Sequence, residues 1–162
     1  MTQQSVELRE LTISVLMTPD MANLSGNVHG GVLLKLLDEV AYACASRYAG
    51  CNVVTVSVDQ VLFKQTIHVG EMVTLYASVN HVGRTSMEVG IKVVAENIQE
   101  RSARTTNSCY FTMVAYDKGK TVAVPPRPTS HLSKYALSWQ GEFRASLRTN
   151  TGQSRSYEGR MG

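Results

Sequence analysis

The sequence predicts an α+β domain in which an antiparallel sheet of about five strands wraps around one long central helix. Three observations point to it. Before residue 127, Gly31–Arg47 alone carries a helical period, with an apolar arc about 120° wide. Val53–Tyr116 reads as consecutive strands, and one more strand candidate precedes the helix. A helix with so wide a stripe needs a sheet to cover it, and a meander with one apolar face needs a helix. The length of 162 residues is that of one domain, and a composition 43% hydrophobic and 18% charged excludes a disordered chain and a membrane protein.

In chain order, Glu7–Leu16 has a loosely alternating second half and is expected as the first strand. Thr18–Asn27 is rich in turn formers and is expected as an irregular loop. In the helix, Leu33, Leu36, Leu37, Val40 and Cys44 share one arc while Lys35, Glu39 and Ser46 lie opposite, and Gly50 ends it. Val53–Phe63 is β-branched; Met72–Val82 sets Val73, Leu75, Ala77 and Val79 on one face, and Met87–Ala95 sets Met87, Val89, Ile91, Val93 and Ala95 on one face. The short connection His81–Thr85, centred on Gly83, makes the last two a hairpin. Arg104–Tyr116 is the final strand, ended by Asp117-Lys118-Gly119-Lys120, and Pro125, Pro126 and Pro128 mark the end of the domain. Residues 1–126 are thus expected as the domain, and 127–162 as an extension, partly helical and then disordered.

The net charge of +3 looks mildly basic, but residues 1–126 carry −1 and the extension +4, so no basic body invites nucleic acid. Cys44, Cys51 and Cys109 are an odd number with no CxxC and no histidine at ligand spacing, which gives neither a disulfide framework nor a metal site; they are expected as reduced, mostly buried thiols. No apolar run reaches the ~18 residues that span a bilayer, and the polar start has no signal-type stretch, so the expected compartment is the cytoplasm and no membrane partner is expected.

Chemistry concentrates between Met21 and Val40. His29-Gly30-Gly31 stands at the helix start, where glycines allow close backbone approach and free N–H groups can hold an anion, although an ordinary glycine turn has the same residues. Asp38 falls at about 140° on the helical wheel, beside Leu34 and Ala45, while Glu39 lies amid the polar face one turn from Lys35. Partial desolvation there would raise the pKa of Asp38 above its usual ~3.9 and make it a better base; the bland alternative is a boundary residue of an amphipathic helix. Asn23 offers a donor and an acceptor, suited to orienting a water or holding a carbonyl, and equally to a turn. His68, His81 and His131 are expected at the surface, and no GxSxG, P-loop or dinucleotide fingerprint occurs.

Asn23, Asn27-Val28-His29-Gly30-Gly31 and Leu36-Leu37-Asp38-Glu39, followed by Val58-Asp59, Phe63, Gly70-Glu71 and Gly83-Arg84-Thr85-Ser86, closely resemble the hotdog-fold acyl-CoA thioesterases. The likeness is to the bacterial acyl-CoA hydrolases related to the mammalian cytosolic, brain-type enzyme. It covers about residues 8–126, and Gln65 departs from it, standing where many relatives have a proline. It implies hydrolysis of acyl-CoA to free fatty acid and CoA, with Asp38 as base or nucleophile, Asn23 of the facing subunit orienting the reactants, and the N–H groups of Gly30 and Gly31, beside His29, as an oxyanion hole. Losing one such donor typically costs about 3 kcal/mol in the barrier. It also implies edge-to-edge dimers, three to a hexamer, and CoA nucleotide binding at Arg84, Thr85 and Ser86, with no cofactor beyond the CoA of substrate and product. Two alternatives stand beside it: a hotdog hydratase or dehydratase drawing on His29, and a non-catalytic acyl-CoA-binding protein, whose usual form adds a DNA-binding helix-turn-helix that is not expected from these residues.

Overall fold

A computed structural model describes residues 8–59 and 61–126; the expected extension lies outside them. The elements are β1 (Glu10–Leu16), α1 (Gly30–Ala49), β2 (Val53–Val58), β3 (Met72–Val82), β4 (Ser86–Asn97), β5 (Ser102–Asp117) and the two-residue β6 (Lys120–Thr121), with a 3-10 turn at Pro19–Met21 after β1. The strands form one antiparallel sheet in the order β1-β3-β4-β5-β2, with β6 on β5. One long helix lies on it, the hotdog arrangement.

The helix begins where His29 caps it, its Nδ1 accepting from the Gly31 N–H at 2.9 Å. It ends at Gly50, whose φ of 68° is left-handed and whose N–H donates to Ser46 O. Between them Leu33, Leu37, Val40, Ala41, Cys44, Ala45 and Tyr48 are buried. They pack on the inner face of the sheet, supplied by Val73, Leu75, Ala77 and Val79 of β3, Met87 through Ala95 at alternate positions of β4, and Cys109, Phe111, Met113 and Ala115 of β5. The period-2 faces expected for β3 and β4 are those observed. Full burial of each large aliphatic side chain contributes about 1.5–3 kcal/mol, which ties the helix to three adjacent strands.

Some boundaries differ. β1 starts at Glu10 rather than Glu7, because Leu8 and Arg9 form a turn from which Arg9 O accepts the Val79 N–H at 2.9 Å. The strand expected over Val53–Phe63 stops at Val58; beyond it the described residues bond to β5 at scattered points, among them Asp59 N–H to Tyr110 O and Lys64 N–H to Thr106 O, where Asp59 and the polar Lys64-Gln65 pair offer little strand propensity. β4 and β5 each run past the expected ends. The sequence Asp117–Lys120 turns the chain into β6 instead of ending the sheet, with Lys118 and Gly119 both at positive φ, 47° and 85°. Val124 then packs back on the core, and the Tyr48 hydroxyl donates to Pro125 O at 3.2 Å. No helix among the described residues is long and apolar enough to cross a membrane.

Candidate active site

Asp38 sits two turns into α1, about 12 Å along the axis from Gly30 at 1.5 Å per residue. It is exposed in the single chain, so the partial desolvation expected from the helical wheel is not supplied by this chain's own packing. Leu34 and Tyr42, one turn to either side, are exposed as well. The carboxylate is nevertheless oriented. Thr55 on β2 donates its hydroxyl proton to Asp38 Oδ1 at 2.7 Å, a charge-assisted bond across the helix-to-sheet gap. Nothing in the sequence pattern singled out Thr55, which sits in a β-branched run where a threonine is an ordinary strand residue. Glu39 faces solvent and pairs with Lys35 at 3.7 Å.

Asn23 lies in the loop before the helix, and its Oδ1 accepts two backbone N–H groups, from Ser25 at 2.9 Å and Asn27 at 3.2 Å. The acceptor end of the amide is consumed by its own loop, and the Nδ2 group remains to donate outward. The two glycines at the helix start are unequal. The Gly31 N–H is occupied by His29 Nδ1, and a Cβ on Gly31 would press on that imidazole at 3.2 Å, so glycine here admits the cap. Gly30 N–H has no acceptor among the described residues and is the available donor. His29 itself is exposed; with Nδ1 accepting, Nε2 carries the ring proton and can only donate.

Asn23, Asn27 and Gly30 share a cavity of about 260 Å³ with Leu33, Phe63 and Ile67, whereas Asp38 does not line it. The cavity is closed on one side by the irregular segment after β2. That segment is held by Arg104 of β5, which donates to Glu71 Oε1 at 2.6 Å, to Glu71 Oε2 at 2.9 Å and to Thr66 O at 2.6 Å. The guanidinium beside Glu71 holds its carboxyl below the usual carboxylate range. This pair, too, escapes sequence reasoning, because 33 positions separate its members.

Arg84, Thr85 and Ser86 close the β3–β4 hairpin, whose backbone is pinned by Ala115 N–H donating to Thr85 O and Val124 N–H to Arg84 O; the Arg84 side chain is exposed. Ser86 lies in one sheet row with Val114 and Val54, the neighbour of Thr55, which puts the hairpin about 10 Å from β2 at two strand spacings. Asp38, Thr55 and Arg84 therefore occupy one side of the molecule. The helix start, Asn23 and Glu71 gather at the opposite end of the strands. Burial pushes the Cys44 and Cys109 thiols up to about 12, which leaves neither a ready nucleophile, and no group of three metal-binding side chains occurs among the described residues.

Residues 25–102 match the family model of the thioesterase superfamily. A solved structure of an apo-hexameric acyl-CoA thioesterase is 32% identical, with a TM-score of 0.76 over 93% of this chain and 97% of that one. The chain belongs to the thioesterase superfamily. It is also similar to the VdlD protein of Helicobacter pylori, at 47% identity over 137 residues, 83% of this chain and 79% of that protein. A Staphylococcus aureus acyl-CoA hydrolase, solved with butyryl-CoA, CoA and CoA disulfide, is 28% identical with a TM-score of 0.71, over 91% of this chain and 93% of that one. In that hydrolase an Asn, an Asp and a Thr have each been replaced by alanine. Their intervals of 15 and 17 residues equal those between Asn23, Asp38 and Thr55.

Proposed function

We propose that this hotdog thioesterase hydrolyses acyl-CoA to a free fatty acid and CoA, with Asp38 as its general base and Asn23 of a facing subunit as a donor to the thioester carbonyl. The observation that carries the reading is the Asp38 carboxylate, open to solvent and oriented by the Thr55 hydroxyl at 2.7 Å. Asp38 takes a proton from a water, whose oxygen attacks the thioester carbon. The negative charge that develops on the carbonyl oxygen is met by N–H donors, for which Asn23 Nδ2 and Gly30 N–H are the groups left free by the loop and the cap. The C–S bond then breaks, and the CoA thiolate leaves and recovers the proton. A variant in which the carboxylate attacks the carbon directly, breaking the C–S bond to expel the CoA thiolate and leaving an acyl-aspartyl anhydride that water then hydrolyses to the fatty acid, uses the same residues.

Geometry supports a site built from two chains. Asp38 and Thr55 flank the β2 edge at one end of the sheet, and Asn23 lies at the other. A two-fold axis that joins two β2 edges antiparallel sets the helix-start end of one copy beside the Asp38 side of the next. Closing that interface would also supply the desolvation that the single chain withholds from Asp38. Three such dimers would make a hexamer, and the similar acyl-CoA thioesterase of known structure is hexameric. Arg84, with Thr85 and Ser86 on the same side, suits the phosphates of the CoA nucleotide, and no cofactor is required. His29, engaged as a helix cap, is unsuited to the base role that a hydratase would ask of it.

Mixing inactive Asn23→Ala and Asp38→Ala proteins under subunit exchange tests the reading, with palmitoyl-CoA as substrate and released thiol as readout. Each variant alone is expected to release CoA at least a hundredfold more slowly than the native chain, and the mixture to recover up to a quarter of native activity. Recovery absent from a mixture shown to exchange subunits would rule out a site built from two chains.

A further inference from the structure

We propose that the Glu71–Arg104 ion pair is a positioning pair that holds, through His68 and Asn27, the amide with which Asn23 meets the substrate. The inference rests on the reading of Asn23 as a catalytic residue and adds the device that aims it. Each link is a hydrogen bond. Arg104 grips both oxygens of Glu71, which is 4% exposed, and Glu71 Oε2 accepts the His68 backbone N–H at 2.9 Å. His68 Nδ1 lies 3.0 Å from Asn27 Oδ1, and Val28 N–H donates to Ile67 O at 2.9 Å. Asn27 in turn donates its N–H to Asn23 Oδ1 and accepts the Asn23 N–H at 2.7 Å.

The direction of the bonds argues for positioning over general stability. Arg104 stands on β5 and Glu71 just before β3, yet the further bonds of the pair, to Thr66 O and from His68 N–H, all enter the segment that closes the Asn23 cavity. Among its described residues that segment has no ladder of its own. A side chain whose acceptor is fixed by a loop is aimed only as well as the loop is fixed, and beside the backbone bonds Val28 N–H to Ile67 O and His29 N–H to Met21 O the buried Glu71 carboxylate is the side chain that ties the facing segment down.

The test is Arg104→Met, with Glu71→Gln as a second variant should the first fail to fold, each read in two ways. Hydrogen exchange, measured without substrate, is expected to speed up at least tenfold at the Asn27 and Val28 amides while those of Val89 and Ile91 in β4 stay unchanged. Palmitoyl-CoA hydrolysis is expected to lose about tenfold in kcat in the native background but less than twofold in the Asn23→Ala background, because a residue acting through Asn23 has nothing left to aim there. Arg104→Lys, which cannot span both carboxylate oxygens, is expected to fall between. Unchanged exchange at Asn27, or an equal fold-loss in both backgrounds, would overturn the proposal. If exchange responds as expected in a chain whose native form releases no CoA, the thioesterase reading fails while the pair still anchors the Asn23 loop.

Discussion

Asp38 and Thr55 meet across the gap between helix and sheet, and their bond is the smallest unit on which the proposed chemistry depends. A hydrogen bond to a charged group is worth about 1.5–3 kcal/mol, and each 1.4 kcal/mol is tenfold in rate. Thr55→Ala is therefore expected to lower kcat for palmitoyl-CoA by about tenfold to a hundredfold, while Thr55→Ser, which keeps the hydroxyl, stays within about threefold of native. Equal loss in both would assign the effect to the missing methyl instead of the hydrogen bond. At this scale the sequence was half informative. The resemblance marked Asn23 and Asp38, since both stand in or beside the distinctive His29-Gly30-Gly31 stretch. Thr55 was invisible, because it becomes special only when β2 is laid beside the third turn of the helix. The Gly31 N–H, expected to face substrate, is instead taken by the neighbouring imidazole.

Among the elements, the segment between β2 and β3 departs furthest from its sequence expectation. Its β-branched start suggested a strand through Phe63, but the edge position gives it a partner on one side only, and it leaves the ladder at Val58 to enclose the cavity. What replaces the ladder is the Glu71–Arg104 pair, and this has a consequence for acid stability. The carboxyl of Glu71 is held below its usual value, chiefly by the hydrogen bond from Arg104, so its stabilisation is complete above the unfolded value of about 4.3 and is lost as pH falls below that toward the lower folded value. Thermal melts should show the native protein losing Tm more steeply than Glu71→Gln as pH is lowered through about 4. Parallel profiles would mean that the pair contributes no such linkage.

At the scale of the whole molecule, the β2 edge of the sheet is one that a lone chain leaves unfinished. β2 exposes Val54, Val56 and Val58 at 44, 62 and 45%, and beside it Leu34 and Tyr42 flank Asp38 on the helix. An apolar, unpaired strand edge is an invitation to pair, and in the proposed dimer it is what brings Asn23 to Asp38. Val56→Lys, which puts a charge on that edge, is expected to shift the assembly toward monomer in light scattering and to cut hydrolysis at least tenfold in parallel. A monomer with full activity would show that one chain holds a complete site.

By itself the sequence determined the class of fold, the helix with its buried arc, the inward faces of β3 and β4, and the family. Those features are written in local periodicity and in short motifs, which a linear reading can see. Only the tertiary structure decided that Thr55 orients Asp38, that Arg104 holds the cavity segment through Glu71, and that Asn23 and Asp38 stand at different ends of one chain. Each of these depends on residues far apart in sequence being brought within hydrogen-bond reach, or kept from it, by how the helix lies on the sheet. Distance along the chain carries no record of that.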